Sequence, residues 1–160
     1  MDQKLRLIGY CGLYCAACNH YRSSFSDGKH LLEEGVKQGE DPDSFTCRGC
    51  RGEIEYIHRG CDVCNIKTCA EERGLLHCGL CSFFPCGKII QFQYDSRYIH
   101  HLDVVDNLSE LKEKGPDLWL KEQEKKWTCK CGVPFSWYET NCINCGSSLT
   151  TCATRFEGQV

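Results

Sequence analysis

Apolar positions recur at helical spacing in only a few stretches of this chain. Between Asp27 and Gly39, Leu31, Leu32 and Val36 make a partial apolar face, with Asp27 as candidate N-cap and Gly39 as stop. Asp41-Pro42-Asp43-Ser44 reads as a turn or loop, and Ile54-Glu55-Tyr56-Ile57 as a short strand. The run Lys88-Ile89-Ile90-Gln91-Phe92-Gln93-Tyr94 suits either period and is read as helix. Asn107 followed by Glu110 has the capping-box spacing, Leu108 and Leu111 supply an apolar side, and Gly115 stops that helix. Pro116-Asp117 opens a second helix through Leu118, Trp119, Leu120 and Gln123, whose end delivers Trp127. Phe135-Ser136-Trp137-Tyr138 reads as hairpin strand.

Composition changes this picture. The hydrophobic fraction is 41%, but it includes cysteine, which accounts for sixteen of the 160 residues. The apolar residues that remain make a thin core, so something besides burial must hold the fold. Disulfides and metals are the candidates. The amino-terminal segment Met1-Asp2-Gln3-Lys4-Leu5-Arg6-Leu7-Ile8-Gly9 is too short and polar for a secretory apolar region, so a reducing cytoplasmic setting is expected. The cysteines also come mostly as pairs two residues apart, which points both thiolates at one ion. Metal ligation is the expectation.

No stretch is apolar enough to span a bilayer, and a net charge of -3 gives no indication of a nucleic-acid partner. A protein partner is open. The chain divides into a cysteine-rich multi-metal domain at 1–101, a helical connector at 102–126, a zinc ribbon at 127–152 and a tail at 153–160. The expected fold class is small metal-stabilised α+β: an irregular cysteine-knuckle domain, short helices and a C-terminal zinc ribbon.

The strongest motif is Cys129-Lys130-Cys131-Gly132, followed ten residues later by Cys142-Ile143-Asn144-Cys145-Gly146. A glycine after each second cysteine permits the tight turn that brings backbone N–H groups to the sulfurs, and two such knuckles close a four-thiolate zinc site. The first knuckle departs from the usual spacing by having one intervening residue. Cys47-Arg48-Gly49-Cys50 and Cys61-Asp62-Val63-Cys64 are also ten residues apart and make a second four-cysteine set, although pairs of knuckles cannot be matched uniquely from sequence.

Cys11, Cys15 and Cys18 have the spacing by which radical-SAM enzymes hold an iron–sulfur cluster with one iron open. That likeness ends there, because the chain is too short for such a barrel and Ala17 stands before the third cysteine. There is one internal repeat. Cys61, Cys64 and Cys69 share their spacing with Cys78, Cys81 and Cys86, which suggests two similar knuckles. If the pairs 15/18, 47/50, 61/64 and 78/81 fill two sites, the singles Cys11, Cys69 and Cys86 are left for a three-thiolate site, with His20 or His77 as candidate fourth ligand. His100-His101 is read as a surface or packing feature. No phosphate loop or nucleophile elbow is present.

The strings Tyr10-Cys11-Gly12-Leu13-Tyr14-Cys15-Ala16-Ala17-Cys18, Cys47-Arg48-Gly49-Cys50-Arg51-Gly52, Cys64-Asn65-Ile66-Lys67-Thr68-Cys69-Ala70 and Cys78-Gly79-Leu80-Cys81-Ser82-Phe83-Phe84-Pro85-Cys86 resemble the prokaryotic domain of unknown function 3795, over about residues 8–90. Asn107-Leu108, Trp119-Leu120 and Trp127 with the ribbon are similar to longer members. The resemblance implies a metal-binding protein and adds no reaction. The leading expectation is thus a multi-site zinc protein acting as a binding or adaptor module. An iron–sulfur protein with redox or sulfur-transfer chemistry at an open site near Cys11, Cys15 and Cys18 is the alternative. A metal buffer comes third, because spaced knuckles with aromatics between them are unlike a flexible thiol-rich tail.

Overall fold

The structure is a computed structural model and describes residues 3–155, apart from the side chains of Ser44 and Ile54. Met1, Asp2 and residues 156–160 of the expected tail lie outside the described residues. Among the described residues seven α-helices follow one another: α1 (Asn19–Arg22), α2 (Lys29–Lys37), α3 (Arg59–Asp62), α4 (Asn65–Glu72), α5 (Gly87–Gln93), α6 (Val104–Lys114) and α7 (Pro116–Lys126). Short 3-10 turns link most of them.

The β part of the α+β expectation is overturned. Among the described residues there is no sheet, only three isolated antiparallel bridges, Ile8 with Tyr14, Thr128 with Pro134 and Asn141 with Ser148. Each bridge closes a turn around cysteine, and the arms are too short to extend into a ladder. Pro134 has no N–H to continue one. Ile54–Tyr56 is a 3-10 turn and not a strand. Phe135-Ser136-Trp137-Tyr138 is irregular, ending in a turn.

The helical expectations hold with shifted starts. α2 begins after a 3-10 turn at Ser26–Gly28. Asp27 does not cap it, but pairs with Arg22 at 3.3 Å. Leu31 is buried while Val36 is exposed. α6 begins at Val104, upstream of the Asn107–Glu110 box, because the turn Ile99–Asp103 runs straight into it and Val104 is fully buried. Gly115 ends α6 at φ +77°, and Pro116 opens α7 as expected.

Two cores flank α6. One gathers Ile8, Tyr14 and Ala17 with Leu111, Trp119, Trp127, Phe135, Trp137 and Leu149. The other gathers Tyr10, Ile66, Ala70, Ile89, Val104 and Leu108. α6 is therefore a shared wall, with Leu111 facing the first core and Val104 and Leu108 the second. Its approach needs glycine on the far side. A Cβ on Gly12 would sit 2.6 Å from Leu108 Cγ, and one on Gly79 would sit 2.5 Å from the Leu108 carbonyl oxygen. The ribbon segment does not stand apart, since its aromatics share the first core and the Trp137 N–H donates to the Ala17 carbonyl at 3.1 Å.

Candidate metal centre

The ribbon turns are built by local backbone bonds. The Cys129 N–H donates to the Val133 carbonyl at 2.8 Å, and the Cys142 N–H to the Ser147 carbonyl at 2.9 Å. Gly132 at φ +88° and Gly146 at φ +69° supply the left-handed step that a side chain would resist. With the chain turned this way, backbone N–H groups two or three residues on point at sulfur. Cys131 donates to Cys129, Asn144 and Cys145 donate to Cys142, and Ser147 donates to Cys145.

The four sulfurs of Cys129, Cys131, Cys142 and Cys145 lie within 4.8 Å of one another. Cys129 and Cys145 are 3.6 Å apart, Cys131 and Cys142 3.5 Å. A tetrahedron with zinc–sulfur bonds of 2.3 Å has edges of ~3.8 Å, so the group is close to the shape one ion requires. The single residue between Cys129 and Cys131 still lets both sulfurs join the group.

Sequence reading missed Ser147. Its hydroxyl lies 3.0 Å from Cys145 Sγ and 3.4 Å from Cys129 Sγ. Hydrogen bonds from the Ser147 side chain and backbone push the Cys145 thiol down to about 6, and the Cys131 N–H, then Ser147, lower Cys129. The thiolate is the ligating form. A four-cysteine group that can hold a metal ion is therefore present.

The amino-terminal loop repeats this construction. Ile8 bridges Tyr14 across the same span as Thr128 and Pro134. The Gly9 N–H donates to the Leu13 carbonyl at 2.9 Å and the Gly12 N–H to the Gly9 carbonyl at 2.9 Å, matching Cys129 to Val133 and Gly132 to Cys129. Gly12 has φ +83° where Gly132 has +88°. The Gly9–Leu13 loop thus has the turn of a knuckle with one cysteine. Gly9 stands in the place of the first cysteine, and Cys11 is presented as Cys131 is. Its sulfur accepts from the Leu13 N–H.

Cys11, Cys15, Cys18, Cys47, Cys50, Cys61 and Cys64 fall into one electrostatic neighbourhood. Cys11 is pushed up first by burial and then by Cys50, Cys64 and Cys61. Cys15 and Cys50 share a hydrogen bond that lowers Cys50 to about 7. Cys18, which accepts from the Tyr21 and His20 N–H groups, is raised to about 11 by burial and by Cys47. Cys61 is raised by burial, then by Cys18, Cys50, Cys47 and Cys64. Cys47 accepts from the Gly49 N–H at 3.3 Å. Crowded, desolvated thiols of this kind resist ionising, and a bound cation inverts that balance. The same i+2 N–H donation to sulfur recurs here at Cys11, Cys18 and Cys47 and in the ribbon at Cys129, Cys142 and Cys145.

The repeat sends its last members elsewhere. Cys69, Cys78, Cys81 and Cys86 all line a pocket of about 350 Å³, mouth included. Burial raises Cys78 to about 12, helped by Cys86, Cys69 and Cys81. The singles Cys11, Cys69 and Cys86 are therefore divided: Cys69 and Cys86 join the 78/81 pair, while Cys11 faces Cys50, Cys61 and Cys64.

Two arginines were invisible in the sequence pattern. Arg73 lines the same pocket, hydrogen-bonded to Cys69 and influenced by Cys81 and Cys86. Arg51 lies 3.8 Å over the Tyr10 ring and donates to the Ile8 carbonyl at 3.0 Å and to the Leu76 carbonyl, tying the Cys11 loop to the segment before Cys78. Their placement depends on contacts between distant segments, which no local spacing reports.

Four histidines, His20, His58, His100 and His101, make ring contacts, and His30 pairs with Glu139 at 2.8 Å. His20 stacks on His58 with centroids 4.0 Å apart, and His100 stacks on Trp137 at 4.1 Å. His101 stacks on Phe92 at 3.8 Å. His77 is buried against Gly79, and burial, then Arg51, lowers it to about 4.

All sixteen cysteines are free thiols. No helix among the described residues is long and apolar enough to cross a membrane. No curated protein and no solved structure matches the chain. One family model does, over residues 7–91, the stretch that carries the Cys11 knuckle, the seven-thiol neighbourhood and the pocket of Cys69, Cys78, Cys81 and Cys86. That match covers more than half of the 160 residues, and the chain belongs to the family described as protein of unknown function DUF3795.

Proposed function

We propose that this chain is a multi-site zinc protein whose clustered thiolates hold a small irregular fold, and that it works as a binding or adaptor module in the cytoplasm. The observation that carries the reading is the ribbon: four sulfurs gathered within 4.8 Å, at separations close to a zinc tetrahedron. Four thiolates leave no open position, which suits a structural ion and not a catalytic one. Zinc fits the all-sulfur donor set, and the seven thiols of the amino-terminal neighbourhood offer enough ligands for further ions. Sixteen free thiols suit a reducing compartment.

The adaptor role is supported by the knuckle tips. Val63 lies between Cys61 and Cys64, Phe83 between Cys81 and Cys86, and Ile143 between Cys142 and Cys145. They are 81%, 66% and 62% exposed. Exposed apolar side chains at these three turns are where such a module would contact a partner.

The test is metal analysis with zinc X-ray absorption on the full chain. The expected result is more than one zinc per chain, with sulfur neighbours at about 2.3 Å. A chain that folds with one zinc or none overturns the multi-site reading.

A further inference from the structure

We propose that Cys69, Cys78, Cys81 and Cys86 form a site for a four-iron, four-sulfide cluster, different in kind from the ribbon. The inference rests on the multi-metal reading above and departs from it over the metal.

Three features lead there. The first is convergence. Cys78 and Cys81 stand at the start and just past the end of the 3-10 turn Cys78–Leu80, Cys86 caps α5, and Cys69 comes from α4 across the pocket. Three ligands from one tight loop and a fourth from a separate element is a common way to hold such a cluster. The flanking helices fix these positions, because Ile66 and Ala70 of α4 and Ile89 of α5 are buried in one core.

The second is spacing. Among the described residues, the ribbon is the one group of three or more ligand atoms that all lie within 4.8 Å of one another. The four thiols here line one pocket and are not gathered that tightly. A single ion would need edges of ~3.8 Å, so these thiols, like the seven amino-terminal ones, would have to close in around zinc. What sets this pocket apart is its apolar wall with Arg73. A cubane places its own iron and sulfide between the thiolates and so holds them farther apart.

The third is the wall. Besides the cysteines it is largely apolar, with Ile66, Ala70, Leu75, Phe84 and Ile89, and the cations Arg73 and Lys88 complete it. A cluster with four thiolates is a bulky anion. Apolar surroundings exclude water from it, and a guanidinium hydrogen-bonded to a ligand sulfur stabilises its charge and tunes its potential. Arg73 is placed for this, one helical turn after Cys69. At the ribbon, the side chain nearest the sulfurs among the contacts of the described residues is the neutral Ser147 hydroxyl.

The test uses the full chain purified without oxygen, or refilled without oxygen from ferric iron, sulfide and dithiothreitol, the thiol reducing two of every four irons. About four irons and four acid-labile sulfides per chain are expected, with broad visible absorption that dithionite bleaches. Iron X-ray absorption should show iron–iron scattering beyond the sulfur shell. Cys81→Ala and Cys86→Ala should each abolish these signals and keep the ribbon zinc. Alkylation of the loaded wild-type chain, read by mass spectrometry, avoids any question of variant folding. Cys69, Cys78, Cys81 and Cys86 should be protected and become reactive once the cluster is removed.

Zinc held by these four sulfurs after iron and sulfide are supplied overturns the proposal, as does alkylation of the four thiols in the iron-loaded chain. A cluster that persists in both variants also overturns it, since the iron then sits elsewhere. A chain that takes iron and sulfide here but carries no zinc breaks the preceding reading and leaves this one standing. Zinc at the ribbon and the seven-thiol neighbourhood with no cluster here does the reverse.

Discussion

Cys142→Ser removes one of the four ribbon ligands and should unfold the ribbon without unfolding the chain. Cys142 is the most buried of the four, at 3% exposure, and accepts two backbone N–H groups from its own turn. Serine is a poor zinc ligand and leaves three thiolates. A structural zinc site contributes on the order of 10 kcal/mol. The competing support is docking: Trp127, Phe135, Trp137 and Leu149 are all buried in the first core. At about 2 kcal/mol for each buried side chain, docking contributes roughly 8 kcal/mol as an upper value. The two are comparable, and the net stability of an ordinary domain is only about 5–15 kcal/mol. Because the docking figure is an upper value and the net margin is of the same size, losing the metal should leave the knuckle turns disordered. Trp119, fully buried against Tyr14 with rings 6.1 Å apart in an edge contact, does not depend on that metal, nor do Leu108 and Leu111. Hydrogen exchange on the variant should show lost protection at the knuckle amides Cys129, Gly132, Cys142 and Gly146. Protection in α6 and α7 should remain. Unchanged knuckle protection would show that packing alone holds the ribbon, and loss throughout α6 and α7 would show that the two cores fold only together with it. Either result refutes the partition argued here.

Two further predictions follow from single positions. Gly12 and Gly132 hold the same left-handed turn, but an added Cβ meets Leu108 at the first and nothing within 4 Å at the second. Gly132→Ala should cost about 1–2 kcal/mol for the backbone, and Gly12→Ala about 1–3 kcal/mol more for overpacking; equal shifts in urea midpoint would mean that Leu108 moves aside freely. His100, lowered to about 3 by burial and then by His101 and His20, is neutral when folded and gains a proton on unfolding below the usual histidine value of about 6.5. Stability should therefore fall as pH drops from about 6.5 toward 3, by at most about 1.4 kcal/mol per pH unit from this group, and be unaffected by it above that window. His100→Phe, which keeps a ring on Trp137, should flatten that part of the profile in acid denaturation; an unchanged difference between variant and wild type across the window would refute the assignment.

What the sequence determined by itself is local. Cys-x-Cys-Gly and Cys-x-x-Cys-Gly specify turns whose glycines take positive φ and whose N–H groups meet sulfur, so the convergence of these four cysteines could be read from the residues, and their sulfurs do lie within 4.8 Å of one another. Gly115 and Pro116 likewise punctuate α6 and α7 through backbone restrictions that act within a residue or two. The tertiary structure decided everything that joins distant turns. Cysteine spacing shows that Cys69 and Cys86 are candidate ligands, but only the packing of α4 and α5 against α6 puts them in one pocket with Cys78 and Cys81. The Gly9–Leu13 loop was hidden for a related reason. With Gly9 in place of the first cysteine, its ligand pattern no longer spells a knuckle, although its hydrogen bonds still make one. The missing sheet has the same origin. Alternating side chains at Phe135–Tyr138 signal a strand only if a neighbour pairs with it. Here the chain turns back onto Ala17 and the first core, where burial of Phe135 and Trp137 outweighs the few ladder bonds so short a hairpin would form.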